Sequence, residues 1–399
     1  MIKSIRLKNF FSFKDQKISF GNTNFLVGIN GVGKSNLIKA FRLLKSALTE
    51  GDLEELIINR WGGFDAMFFK GSEPTESSSC TIEYEFDPLV LREYGYAFLE
   101  PVYYCITLEK MGSTQNYSLS EKFCTKYDNG KVHYLYFNAK HGEGWAKEGE
   151  RTDDQHNVHY TLDTSSDSML SQLKDSNRYP QISTFRKAIA DIAIYNYFNT
   201  TESSPIRKPA TPTAVTKLMS DGSNLPQLLN WININYKKNY RSIKNSLNTI
   251  NPNITDINFH PLNTNIELLL EEDELNSAVH VAHVSDGTLR FLCLMAIVHN
   301  PKRGRFICID EPEVGLHPDM ISEVMNALEE ASESTQFLIT THSEQVLNHT
   351  SIGNVIVCEK DAQNATCIKT FRTEEYEKWA ADYATGNLWR SGDLGGNRY

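Results

Sequence analysis

Apolar residues recur at every second position near the start of the chain. Ile5, Leu7 and Phe10, then Ile18 and Phe20, predict two short strands over residues 2–20. Phe25-Leu26-Val27 predicts a third, buried strand. The period then lengthens: Leu37, Ile38, Phe41, Leu44 and Leu48 fall at helical spacing, so a helix is expected over Asn36–Leu48. A short helix over Asp52–Asn59 ends at Arg60-Trp61-Gly62-Gly63, and polar Glu73–Ser79 reads as a surface loop. Period two returns over Thr81–Phe86, Val102–Leu108 and Val132–Phe137, which predicts an antiparallel β-rich lobe. Lys140–Ser168 is polar and turn-rich and is expected to be mobile.

Helical spacing resumes at Met169–Leu173 and is read as continuing through Phe185, Ile189 and Ile192 to Phe198. Pro205–Pro212 resembles a linker, and Asn224–Leu247 predicts one or two helices. Strand-like runs follow at Ile254–Phe259, Ile266–Leu270 and Ala278–Val284. From Ser285 onward helices and strands alternate: a helix over Gly287–His299, a strand at Arg305–Ile309, a helix over Met320–Ala331, a strand at Gln336–Thr340. Two further strands, Asn354–Glu359 and Thr366–Phe371, precede a short helix. Four segments result: 1–63, 64–168, 169–250 and 251–399. No heptad is sustained, so no long coiled coil is expected.

Composition narrows the class. The 399 residues carry 40 basic and 50 acidic side chains, a formal charge of −10, so any contact with nucleic acid needs a local basic patch. None of the seven cysteines forms a C-x-x-C pair, and buried free thiols in a reducing, cytoplasmic setting are expected. The N-terminal stretch has no apolar signal core, and no run reaches the ~18 apolar residues of a membrane span.

Between the third strand and the first long helix stands Gly28-Ile29-Asn30-Gly31-Val32-Gly33-Lys34-Ser35, of the form G-x-x-x-x-G-K-S. Glycines at this junction let successive N–H groups turn inward to cradle phosphate, with Lys34 reaching the terminal phosphates and Ser35 holding Mg²⁺. Phe306-Ile307-Cys308-Ile309-Asp310-Glu311 is an apolar strand ending in two carboxylates. Asp310 suits Mg²⁺, and Glu311 suits orientation and deprotonation of a water. Phe337-Leu338-Ile339-Thr340-Thr341-His342 is a second apolar strand with a polar end, where an imidazole can meet a γ-phosphate or the water. Ser285-Asp286-Gly287-Thr288 opens a helix one helix and one turn ahead of Asp310. Ser285 can cap it, and Gly287 permits close approach of a phosphate.

In this order the motifs resemble the ABC-type ATPase heads of the SMC/RecF/OLD group, in particular AAA-15/AAA-21-like stand-alone bacterial ATPases. The opening Ile5-Arg6-Leu7-Lys8-Asn9-Phe10, the stretch Gly315-Leu316-His317-Pro318 and the Gly386–Tyr399 ending carry the same resemblance. It implies an α/β head with an inserted β-rich lobe and a helical lobe. Asn30, Gly31, Gly33, Lys34, Ser35 and Asn36 of one subunit and Ser285 and Gly287 of another would hold ATP. Ser35, Asp310 and Gln172, the last in Leu170-Ser171-Gln172-Leu173, would serve Mg²⁺, and Lys34, Glu311 and His342 would be catalytic. The assembly implied is a homodimer or higher even oligomer with ATP between heads, acting in DNA repair, surveillance or anti-phage defence, with DNA or a separate nuclease or effector as partner and no membrane. A non-catalytic scaffold or a regulatory subunit holding a nuclease is the alternative. Lys237, Arg241 and Lys244 on one helical face, and Arg207-Lys208, are the candidate phosphate contacts for DNA. Asn354–Asp361 superficially resembles the first strand of a TOPRIM nuclease domain, but no downstream D-x-D follows Glu359, so no intrinsic nuclease is expected.

Overall fold

A computed structural model of the chain describes residues 1–49, 51–71, 78–112, 116–126, 130–149, 157–162, 164–371 and 384–396. All but the last two residues of the expected loop Glu73–Ser79 lie outside this set.

The apolar runs assemble a six-stranded sheet in the order Ala193–Tyr195, Phe306–Asp310, Gln336–Thr340, Thr23–Val27, Val355–Lys360, Thr366–Thr370. The first five run parallel and the last is antiparallel. Parallel strands are covered on both faces, which is why they read as unbroken hydrophobic runs. Their alternation sorts side chains between two cores. Leu26, Cys308, Leu338 and Ile356 point to one, which includes the helices Lys34–Ser46 and Pro180–Asp191. Phe25, Val27, Ile307, Ile309, Phe337 and Ile339 point to the other, packed with Leu225–Asn235, Lys237–Ile250, Asp286–Val298 and Pro318–Ala331. All seven cysteines are free, and five are buried.

An eight-stranded antiparallel sheet closes the first core. Its order is Phe13–Ser19, Ile2–Phe10, Ser79–Phe86, Val102–Lys110, Tyr117–Lys126, Val132–Lys140, Glu143–Lys147, Asn157–Thr161. Ile2–Phe10 pairs with both Phe13–Ser19 and Ser79–Phe86, so the strands of residues 64–168 extend the N-terminal hairpin in one continuous sheet. Two of these strands, Glu143–Lys147 and Asn157–Thr161, correct the expectation of a turn-rich mobile segment after Lys140. Tyr117–Lys126 buries Glu121, whose carboxylate accepts from Tyr104 Oη at 2.5 Å, Ser168 Oγ at 2.7 Å and the Met169 N–H at 2.6 Å.

Helical structure expected as far as Phe198 stops at Asp191. Ile192 turns the backbone extended, and Ala193–Tyr195 becomes an edge strand beside Ile307–Ile309. The strand expected at Ala278–Val284 contracts to Val279–His280 at the end of a three-stranded antiparallel sheet, followed by the tight turn Val281–His283. The helix Thr385–Ser391 docks on Glu344–Asn348. There the Gly386 N–H donates to Asn348 Oδ1, and a Cβ on Gly386 would strike the Glu344 carbonyl.

Candidate nucleotide site

The phosphate-loop segment leaves the C-terminal end of Thr23–Val27 and enters the helix Lys34–Ser46. Gly33 adopts φ 115°, and a Cβ there would lie on Ser12 Oγ and 2.5 Å from Thr366 Oγ1. Those two side chains form a clamp. Thr366 donates its N–H to Ser12 O at 2.7 Å and its hydroxyl to Val32 O, and Asn36 Nδ2 donates to Ser12 Oγ at 2.9 Å. The backbone N–H groups of Asn30, Gly31, Gly33, Lys34 and Ser35 have no acceptor among the described residues. A ring of unpaired donors at a helix N-terminus is the environment a polyphosphate satisfies.

Lys34 is buried at 7% exposure. Its Nζ donates to Gly28 O at 2.7 Å and Ile29 O at 3.3 Å, and stands 2.8 Å from His342 Nε2. Burial pushes its pKa down, while Glu311, Asp310 and Glu313 nearby pull it back up. An ammonium only donates, so His342 Nε2 is the acceptor and Nδ1 carries the proton. Burial first, and then Lys34, lower the imidazole pKa, against the opposing pull of Glu311 and Asp310.

Parallel pairing sets Asp310 opposite Thr340, and Thr340 opposite Leu26, so the three strand ends meet at the loop. Ligand sites of such sheets lie at the carboxyl ends of the strands. Thr340 Oγ1 donates to Asp310 Oδ1, and the Glu311 N–H donates to Thr340 O at 3.0 Å and Oγ1 at 3.1 Å. Glu311 sits at φ 48°, unusual for a residue with a side chain, and its Oε1 lies 3.4 Å from His342 Nε2. Lys34, Asp310, Glu311 and His342 therefore share one site.

Glu313, two residues after Glu311 and not among the residues expected from sequence, belongs to it too. It accepts from Thr341 Oγ1 at 2.6 Å and from the His342 N–H at 3.1 Å, while its other oxygen is buried without a partner among the described residues. Burial raises its pKa.

Three expected residues sit elsewhere. Asn36 turns its side chain to Ser12 and Lys39, so it holds the loop and does not face a phosphate. Gln172 is exposed at the end of the helix Met169–Gln172. Arg186 bonds both Leu170 O and Leu48 O, the latter past the far end of the loop helix. Leu48 lies roughly 20 Å along the axis from Lys34 at 1.5 Å per residue, and no described hydrogen bond joins Gln172 to the phosphate loop. Arg207, a candidate for DNA phosphate, is buried and hydrogen-bonded within the fold. Of the basic helical face, Lys244 is paired with Asp256 at 2.9 Å and Lys237 bonds Asn233.

Ser285 Oγ accepts from the Thr288 N–H at 3.2 Å and caps the helix Asp286–Val298, as expected. Ser285 and Asp286 are exposed, and no described bond joins them to Lys34. Arg290 ties this helix to the Val314 carbonyl at 3.0 Å, and its guanidinium lies 4.6 Å over the Tyr197 ring.

Fold and site together define an SMC/RecF-like ABC-type ATPase. The family model described as "AAA domain, putative AbiEii toxin, Type IV TA system" matches residues 23–348, and the chain belongs to that family. An "ATP/GTP phosphatase" of Helicobacter pylori is 24% identical over 383 residues, covering 92% of each chain. Among solved structures, an SMC head bound to the C-terminal winged-helix domain of ScpA aligns at TM-score 0.60 and 14% identity, over 94% of this chain and 99% of that one. The Pyrococcus furiosus Smc head domain with an extended coiled coil, bound to the C-terminal domain of ScpA, aligns at 0.58 and 12%, over 96% and 98%. Among the described residues no helix is long and apolar enough to cross a membrane.

Proposed function

We propose that the protein is a Mg²⁺-dependent ATPase whose heads engage around ATP and separate after hydrolysis. The supporting observation is the meeting of Lys34, Asp310, Glu311 and His342 beside a loop of unpaired N–H donors. Ser35 and Asp310 would hold Mg²⁺, which neutralises charge on the phosphates. Lys34 Nζ donates to Gly28 O and His342 Nε2. Moving it to the phosphates frees that imidazole nitrogen to accept from the attacking water, while Glu311 orients the water and takes its proton. The exposed Ser285 and the half-buried Gly287 beside it would complete the site of a second copy, making engagement a nucleotide-controlled two-state switch.

The test compares wild type with Glu311→Gln by mass in solution and phosphate release. The expected result is loss of turnover and an ATP-dependent dimer that Ser285→Arg abolishes. Wild type that binds ATP without turnover or change of mass would overturn this reading and leave a non-catalytic scaffold. DNA as a partner has one specific support: a cavity of about 800 Å³ beside the loop helix, lined by Lys39, Arg42, Lys45 and Arg60 with Trp61. Arg42 has no hydrogen bond or ion pair among the described residues. Binding of single- or double-stranded DNA, weakened by Arg42→Glu and by salt, tests it; equal binding by that variant refutes it. A separate effector would fit the toxin–antitoxin description of the family. A nuclease within this chain is not proposed, since Glu359 is held by Lys369 at 2.6 Å and by the Gly396 N–H at 2.6 Å. Metal-dependent DNA cleavage lost on changing Glu359 would refute that.

A further inference from the structure

We infer that Arg207 is a positioning residue that shapes Ser285–Gly287 for the nucleotide of a facing subunit; the inference rests on the head-engagement reading above. Arg207 ends the tight turn Pro205–Arg207, in a stretch that reads from sequence as a linker. Its guanidinium is buried, yet acidic contact is limited to one partner among its described bonds. Nε donates to Thr200 O at 2.8 Å. Nη1 donates to Val281 O and Ala282 O at 3.1 Å each and to Val284 O at 2.6 Å. Nη2 donates to Asp286 Oδ1 at 2.6 Å.

Three of those carbonyls belong to the turn immediately before Ser285, and the carboxylate belongs to the residue immediately after it. One rigid, planar cation therefore fixes both flanks of the capping serine. A lysine ammonium cannot reproduce the pattern, because its three donors radiate from one point. The electrostatics point the same way. Asp286 stands in the first turn of its helix, where its charge would repel an incoming triphosphate. Arg207 draws that carboxylate aside and neutralises it, leaving the Ser285 hydroxyl and Gly287 backbone to meet the phosphate. Arg207 is itself held by the Ser204 carbonyl, and Ser204 Oγ by Asn199 O, so the support reaches into the fold.

A residue that acts on the partner's nucleotide can be rescued by a partner. Arg207→Ala alone should bind ATP within about twofold of wild type but lose ATP-dependent dimerisation and turnover. Glu311→Gln alone is also inactive. Their mixture, combined before ATP is added, should regain turnover that neither variant shows alone, because each mixed dimer has one intact site of two. Ser285→Arg mixed with Glu311→Gln is the control. If the control regains turnover and the Arg207→Ala mixture does not, Arg207 does not act through Ser285–Gly287 and the inference fails alone. If neither mixture regains turnover, the head-engagement reading fails and takes the inference with it. Should Arg207→Ala not fold, Arg207→Lys keeps the charge and most of the volume. It should show the same loss and the same rescue, and wild-type turnover in Arg207→Lys overturns the inference.

Discussion

Gly33→Ala probes the clamp on the phosphate loop. The backbone at Gly33 has φ 115°, which for a residue with a side chain costs about 1–3 kcal/mol. The added methyl would also meet Ser12 Oγ and Thr366 Oγ1, and neither can step aside freely. Ser12 Oγ accepts from Asn36, and Thr366 Oγ1 donates to Val32 O, so relief breaks one or both hydrogen bonds at about 0.5–1.5 kcal/mol each. Together these give about 2–6 kcal/mol. Borne by the loop, that weakens ATP binding by ~30-fold or more. Calorimetric titration of ATP·Mg²⁺ into Gly33→Ala, in a Glu311→Gln background that prevents turnover, measures it. Adding Ser12→Gly removes one of the two collisions and should recover affinity by a few-fold to about tenfold, while backbone strain keeps it below wild type. Affinity within threefold of wild type in the single variant, or no recovery with Ser12→Gly, would refute the reasoning.

Other outcomes follow from the same geometry. Thr340→Val strips the hydroxyl that bonds both Asp310 and the Glu311 N–H, so kcat should fall about 10–100-fold with ATP affinity nearly unchanged; an unaltered kcat would show that the two carboxylates need no such support. Lys34→Met removes a cation that depresses the His342 pKa, so the imidazole should titrate higher than in wild type by NMR, while burial still holds it below the ordinary ~6.5. Because that folded-state pKa is lowered, stability of the nucleotide-free protein should decline as pH falls through the unfolded imidazole's range near ~6.5; a flat melting temperature there would count against it. Glu121→Ala leaves Tyr104 Oη, Ser168 Oγ and the Met169 N–H unsatisfied, and urea unfolding should register a loss of about 3 kcal/mol, whereas less than ~1 would mean water replaces the carboxylate.

The phosphate loop, the Asp310-Glu311 strand end and His342 were legible because each is a polar cluster at the end of an apolar run, and parallel pairing brings such ends to one edge. What holds them was not. Ser12 and Thr366 clamp the loop from more than 350 residues apart in the chain, and neither is chemically distinctive. Arg207 bonds mainly carbonyl oxygens, which every residue possesses, so its partners leave no trace in the amino-acid string. Ala193–Tyr195 is three residues long, too short for a period to show, and followed a strongly helical stretch. Tyr117–Lys126 hides its alternation because Ser118, Glu121 and Thr125 are buried polar residues. Gln172 stood on a local sequence likeness alone; the structure leaves it exposed at the end of a four-residue helix, with no described hydrogen bond to the loop.

The clamp has a consequence for biosynthesis. Thr23–Val27 is flanked by Gln336–Thr340 and Val355–Lys360, and its loop is closed by Thr366, so every neighbour that shapes the phosphate nest on that side is translated more than 300 residues after it. Such long-range pairing forms late and slowly. A nascent chain carrying only the glycine-rich segment has the residues for gripping a triphosphate but not the walls. A chain ending before residue 366 would lack Thr366, and with it the hydroxyl that holds Val32 O and one of the two groups pressed against Gly33.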